Sequence, residues 1–410
     1  MKRAINTTAL VIVGLMMVLL AGCRGSASPQ PTGSAGSSPT VAPTATIQPS
    51  PTPSASPSGG TSATPASTTP TDQTTGRVTA VRLADPQIGW TGGAGWISRT
   101  EDGGKTWKKQ YQGTGTVQQL FALNGQDAWA VISPDPGKPA VRQLLNTKDG
   151  GKSWSVVGQM PNAGFLHFVS INEGYSANAR TTDGGKTWTL LSIPDGTVGE
   201  AYFHDNDHGW AVGQGNGMIV VQATTDGGRT WNKTLSKQTI APLNGATIRS
   251  AGKDDAWVEL IGDSGMSQTS YSLFHTTDAG KTWLPVLANS TAGGGPAPGF
   301  PIDYNEGPKN AGSKPGPLYV IDPKAAFMGG YCPACDKPNS IGWTKDGGKT
   351  WTNGTATFPG GMGALLAFAD AERGWWICTD ISEPSVMYTT ADGGQTWTKV
   401  HAFDSPKEKS

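Results

Sequence analysis

Thr100-Glu101-Asp102-Gly103-Gly104-Lys105-Thr106-Trp107 decides the fold, because the same pattern returns six more times along the chain. The later copies end at Trp154, Trp188, Trp231, Trp283, Trp351 and Trp397, at intervals of 47, 34, 43, 52, 68 and 46 residues from Trp107 onward. Each keeps the opening Thr, the Asp two residues on, a Gly or Ala, a Gly and the closing Trp. Repetition at this period marks one supersecondary unit per copy rather than an ordinary globular arrangement. A second element precedes each copy, a polar turn followed by a strand centred on an aromatic: Trp90, Trp129, Tyr175, Trp210, Trp257, Phe327 and Trp375. The segments around these aromatics have strand length and strand composition, with turn residues between them and no helical period. Four short strands in each of seven copies predict an all-β, seven-bladed β-propeller over residues 77–404, with 405–410 as a polar tail.

The repeated residues have physical jobs that do not involve a reaction. The paired glycines supply the positive φ a tight turn needs. The carboxylates of Asp102, Asp149, Asp183, Asp226, Asp278, Asp346 and Asp392 are placed to accept backbone N–H bonds inside that turn. Trp107, Trp154, Trp188, Trp231, Trp283, Trp351 and Trp397 are each expected to bury ~150–250 Å² beneath the turn and between blades. Catalysis does not call for seven copies of one acid spread round a ring, so the reading of these positions is structural.

This pattern resembles the Asp-box, or BNR repeat, of sialidases, sortilin-type receptors and xyloglucan-type glycosidases. Combined with the aromatic-centred strand, it is most similar to the photosystem II stability and assembly factor family. The resemblance covers residues 77 to about 404 and implies a seven-bladed propeller. Members of that family bind photosystem precursors through an arginine-rich patch, and some are lipoproteins. Residues 77–410 carry only eight arginines, three of them in or beside the repeated elements, so that patch is not carried over.

The start of the chain reads as an export and anchoring segment. Lys2 and Arg3 precede an apolar run from Thr8 to Ala21, and Leu20-Ala21-Gly22-Cys23 resembles a bacterial lipobox. Residues 1–22 are thus expected to be a lipoprotein signal peptide, with Cys23 as the lipidated first residue of the mature chain. Residues 23–76 are nearly all Ser, Thr, Pro, Ala and Gly, which predicts a disordered stalk reaching ~40 Å. The expected location is the extracytoplasmic side of a membrane, with contact through the lipid anchor alone.

Charge removes one class of partner. Lys2, Arg3, Arg24 and Asp72 are the only charges before residue 77, which leaves 28 basic against 30 acidic residues in the head. A net charge of about −2 without basic clusters gives no electrostatic footprint for nucleic acid.

Function should reside in what differs between the copies. The irregular segments fall on the face opposite the repeated turns, and the longest, 289–316, carries Phe300, Asp303, Tyr304 and Glu306 as a candidate recognition loop. A sialidase needs three arginines on a carboxylate. Arg82, Arg142, Arg249 and Arg373 are candidates, but no Arg-x-Pro motif supports them. A glycosidase needs two carboxylates at a set separation, for which Asp263, Asp303, Glu306, Asp336, Asp380 and Glu383 are available. Cys332 and Cys335 have CxxC spacing, yet no second pair or paired histidines complete a metal site, and none is expected. A disulfide is the default in an exported protein. Cys332 with Cys335 is one pairing, and Cys378 with either of them is another. The expected function is a non-catalytic cell-surface lipoprotein, without cofactor, whose propeller acts as a scaffold or assembly factor for an envelope or membrane protein. The alternative is an envelope glycan binder or a glycoside hydrolase of the Asp-box type.

Overall fold

The computed structural model describes residues 76–135, 141–361 and 363–405. Cys23, the signal segment and all but the last residue of the stalk lie outside the described residues. No helix occurs among those described, and the chain forms a β-propeller.

Strands β1 (Val78–Leu83), β2 (Gly89–Thr100), β3 (Lys108–Ala122), β4 (Ala128–Ser133), β5 (Gln143–Thr147) and β6 (Ser155–Gln159) make one six-stranded antiparallel sheet. Five four-stranded sheets follow. The second holds β7 (Leu166–Phe168), β8 (Gly174–Ser176), β9 (Ala179–Thr181) and β10 (Thr189–Leu190). The third holds β11 (Tyr202–Phe203), β12 (Gly209–Gly215), β13 (Met218–Thr224) and β14 (Asn232–Gln238). The fourth holds β15 (Gly245–Arg249), β16 (Ala256–Ser264), β17 (Thr269–Thr276) and β18 (Leu284–Asn289). The fifth holds β19 (Lys314–Val320), β20 (Ala326–Tyr331), β21 (Asn339–Thr344) and β22 (Thr352–Phe358). The last holds β23 (Ala364–Phe368), β24 (Gly374–Cys378), β25 (Val386–Thr390) and β26 (Thr398–Ala402).

The sheets therefore number six, where the repeat count predicts seven. The reason lies in β2 and β3, each of which serves two partners. Leu83 pairs with Gly89 and Val78 with Gly93 in the first half of β2, while Trp96 and Arg99 in its second half pair with Gln112 and Lys108. In turn, β3 continues past Thr116 to pair Val117 with Ile132 and Ala122 with Ala128 on β4. Elsewhere a loop separates one copy's last strand from the next copy's first. Here the link is Gly113-Thr114-Gly115, across which β3 runs on although Gly115 takes a positive φ of 88°, so the first two copies share one sheet.

Packing between sheets supplies the core. The aromatics of the second strands, Trp90, Trp129, Tyr175, Trp210, Trp257, Phe327 and Trp375, are all at most 2% exposed. Alternation in each strand sends them into the gap between adjacent sheets. The motif tryptophans are only half-buried, because each lies at the rim beneath its own turn. Trp283 meets Trp210 edge-on at 5.7 Å, and Trp107 meets Trp375 in the same way. The second of these contacts joins the first copy to the last. Val78 N–H also donates to Ser385 Oγ at 3.1 Å, and Phe403 stacks on Trp96. The ring is closed by side-chain packing and not by a shared strand.

Candidate functional site

The seven repeated turns use up their own polar groups. In the copy at Asp226, Thr224 Oγ1–H donates to Asp226 Oδ1 at 2.8 Å and accepts from Gly228 N–H at 2.9 Å. The carboxylate also accepts from Thr230 N–H and, at 2.6 Å, from the Thr230 hydroxyl. The same bonds recur at Asp102, Asp149, Asp183, Asp278, Asp346 and Asp392. The hydroxyl and backbone donors on Asp149, Asp183, Asp226, Asp278 and Asp392 hold these carboxyls at about 2. A carboxylate so stabilised is a poor proton donor near neutrality. Paired glycines at φ 69° to 98° make the turn, except that Ala279 replaces the first of them and takes φ 59°.

Two neighbouring sheets are latched on this face. His275, on β17 and buried, has Nε2 2.8 Å from Asp255 Oδ1 and Nδ1 2.9 Å from Gly347 O of the next copy's turn. Its ring stacks on Trp257 at 3.7 Å. Arg99 takes the equivalent position in the first copy, where it donates to Gly150 O at 3.1 Å and covers Trp90. His208 belongs to a turn on the same face and lies 2.8 Å from Asp205.

The opposite face carries the variable segments. In the 289–316 segment, Phe300 stacks on the buried Phe274 at 5.5 Å, and Tyr304 covers Phe300 at 4.5 Å. The Asn289 side chain bridges its two ends, donating to Asn310 O and accepting from Asn310 N–H, both at 3.0 Å. Two of the four candidate residues thus hold the loop down, while Asp303 and Glu306 remain exposed. Topology places Ile240, Met266, Ile302 and Ile381 on this face as well, since they lie in sheet-to-sheet connections or in turns between second and third strands. All four are largely exposed. Cys332 and Cys335 form a disulfide across the turn between β20 and β21, and Cys378 is buried and free, its thiol pushed up to about 12 by burial. Of the candidate carboxylates, Asp380 accepts from the N–H groups of Gly361 and Ser382 and so holds its own loop. No group of three His, Cys, Asp or Glu among the described residues is arranged to hold a metal ion.

A channel of about 520 Å³ runs along the axis, walled by the innermost strands β1, β3, β15, β19 and β23 and by residues just before β7 and β11. Its lining is mostly apolar, with Leu120, Phe165, Leu318, Tyr319 and Leu366. Arg82, near the end of β1, lies over the Phe121 ring at 4.7 Å and Tyr319 at 5.7 Å. Arg249, at the end of β15, lies 3.8 Å from the Phe165 ring centre. Behind it Glu259 on β16 is 3% exposed, has one carboxyl oxygen without a partner, and is pushed up to about 7 by burial. Of the four arginines singled out in the sequence, the ring brings Arg82 and Arg249 to the channel, whereas Arg373 is held by Asp370 in a surface turn. Nothing local in the sequence marks the first two, because β1 and β15 face the axis only after the ring has closed.

No protein-family model matches the chain, and no curated protein matches it. Among solved structures, YCF48 bound to D1 peptide is 16% identical over 78% of this chain and 92% of that one, with a TM-score of 0.43. YCF48 from Cyanidioschyzon merolae is 18% identical over 80% and 86%, with a TM-score of 0.33. The α-L-arabinofuranosidase Arb93A from Fusarium graminearum, in complex with an iminosugar inhibitor, is 13% identical over 80% and 92%, with a TM-score of 0.39. Identities this low do not carry function from any of these proteins to this one.

Proposed function

We propose that the chain is a non-catalytic lipoprotein, anchored through Cys23 on the extracytoplasmic side of a membrane. Its propeller head serves as a docking scaffold for an envelope or membrane protein. The observation that carries this reading is the face opposite the repeated turns, where Ile240, Met266, Ile302 and Ile381 stand exposed and Phe300 and Tyr304 pin the loop that carries Ile302. Exposed large apolar side chains on one face of a sheet scaffold favour protein contact, because their burial releases water while the scaffold gives up little conformational freedom. The stacked Phe300 and Tyr304, on either side of Ile302 in the chain, keep that ordering cost small.

The test is affinity capture on the full-length chain in detergent, using solubilised envelope from the source cell. It is run beside a variant carrying Ile240→Ser, Met266→Ser, Ile302→Ser and Ile381→Ser. One stoichiometric protein retained by the wild type and lost by the variant is the expected result. Retained glycan, or glycan shortened by the wild-type chain, would instead mean a carbohydrate-active head.

A further inference from the structure

The channel holds two cations, Arg82 and Arg249, without a direct ion-pair partner. Among the described residues no carboxylate lies within salt-bridge distance of Arg82 or Arg249. The Nε–H of Arg82 is buried and has no acceptor. Arg249 spends one N–H on Ile248 O at 2.8 Å, and its other N–H groups meet no carboxylate among the described residues. Burial lowers the Arg249 pKa against the raising influence of Tyr202, Glu200 and Glu259, and the charge of Arg82 adds to the lowering. Glu200, the one acid in the lining, is exposed and accepts from Phe165 N–H. A buried donor without an acceptor is costly, and a guanidinium fork matches a carboxylate in shape and charge. Around the pair lie Leu120, Phe165, Tyr319 and Leu366, which suit a flat apolar body.

We propose that the central channel binds a carboxylate carried on an apolar or aromatic body, its two oxygens received by Arg82 and Arg249. The carboxylate belongs either to a free small acid or to the terminus of a peptide chain. This site is separate from the docking face, so it stands or falls independently of the scaffold reading.

Isothermal titration calorimetry on the full-length chain at low salt tests it, with 3-phenylpropionate as the probe and 3-phenylpropanamide as its uncharged match. The acid should bind at least about tenfold more tightly than the amide, as expected when a charge-assisted pair is lost. Arg82→Gln should reduce acid binding by about the same factor, and so should Arg249→Gln. The acid–amide contrast needs no variant, so it decides the matter even where Arg249→Gln fails to fold. A second arm compares the tripeptide Ala-Ala-Phe with its C-terminal amide. Tighter binding of the peptide acid than of 3-phenylpropionate assigns the site to a chain terminus, and the reverse assigns it to a small acid. Equal affinity for acid and amide, no binding of either, or wild-type binding by folded Arg82→Gln would overturn the proposal. The four-residue docking variant should bind the acid like the wild type.

Discussion

Glu259 shows how one buried side chain ties stability to pH. It lies on the second strand of its sheet, between Thr247 and Leu273 of the flanking strands, and burial lifts its carboxyl from 4.5 to about 7 against the lowering pull of the Thr247 hydrogen bond and of Arg249. The folded chain therefore keeps a proton that the unfolded chain releases. The stability Glu259 contributes is fully present below pH 4.5 and falls away as pH rises towards 7. A shift of this size corresponds to about 3 kcal/mol. Urea unfolding of wild type and Glu259→Gln at pH 4.5 and pH 8 should show the gap between them changing by that amount, in favour of Gln at the higher pH. An unchanged gap would mean that Glu259 reaches water.

At the scale of the element, the repeated turn behaves as a bracket made of short-range bonds. Thr224 is almost fully buried and its hydroxyl serves both Asp226 and Gly228. Thr224→Val keeps the shape, removes the hydroxyl's bonds to Asp226 Oδ1, Asp226 N–H and Gly228 N–H, and should cost about 1–3 kcal/mol in chemical denaturation. The carboxylates act in the opposite sense to Glu259. Their folded pKa values lie near 2 against 3.8, so their contribution is present above about pH 4 and is lost as pH falls through 2. Acid unfolding followed by tryptophan fluorescence should fall in that window, and Asp226→Asn should move its midpoint upward. A wild-type transition complete above pH 4 would show that the turns do not hold the fold together in acid.

For the whole molecule, the decisive contact is the one that closes the ring. Phe403, just past β26, is buried against Trp96 and Trp107 of the first copy. Phe403→Ala should cost about 3–5 kcal/mol, the usual penalty for emptying a buried aromatic site. In a closed ring each sheet has two neighbours, so scanning calorimetry should still give one transition, moved to lower temperature. A separate low-temperature transition would indicate that the first and last sheets open independently, as in a linear array of repeats.

The repeated turns and the aromatic strands were legible in the sequence because their bonds span four residues or fewer and follow a strict spacing. Trp90, Trp129 and Trp257 announce the core for the same reason, since alternation in a strand dictates which face each side chain takes. The number of sheets was not legible. It depends on whether Gly113-Thr114-Gly115 breaks the chain or lets β3 run on, and three residues of that composition permit either. Phe300 and Tyr304, two of the recognition-loop candidates, also anchor the loop on Phe274, a partner that the sequence alone does not bring near. Arg82 and Arg249 stood in the sequence only as two of four candidate arginines without a supporting motif, because their placement at the channel requires every intervening sheet to take its place round the axis. Local bonding thus determined the turn and the strand from sequence alone. Only closure of the ring, a sum of many long-range contacts, decided what faces the channel.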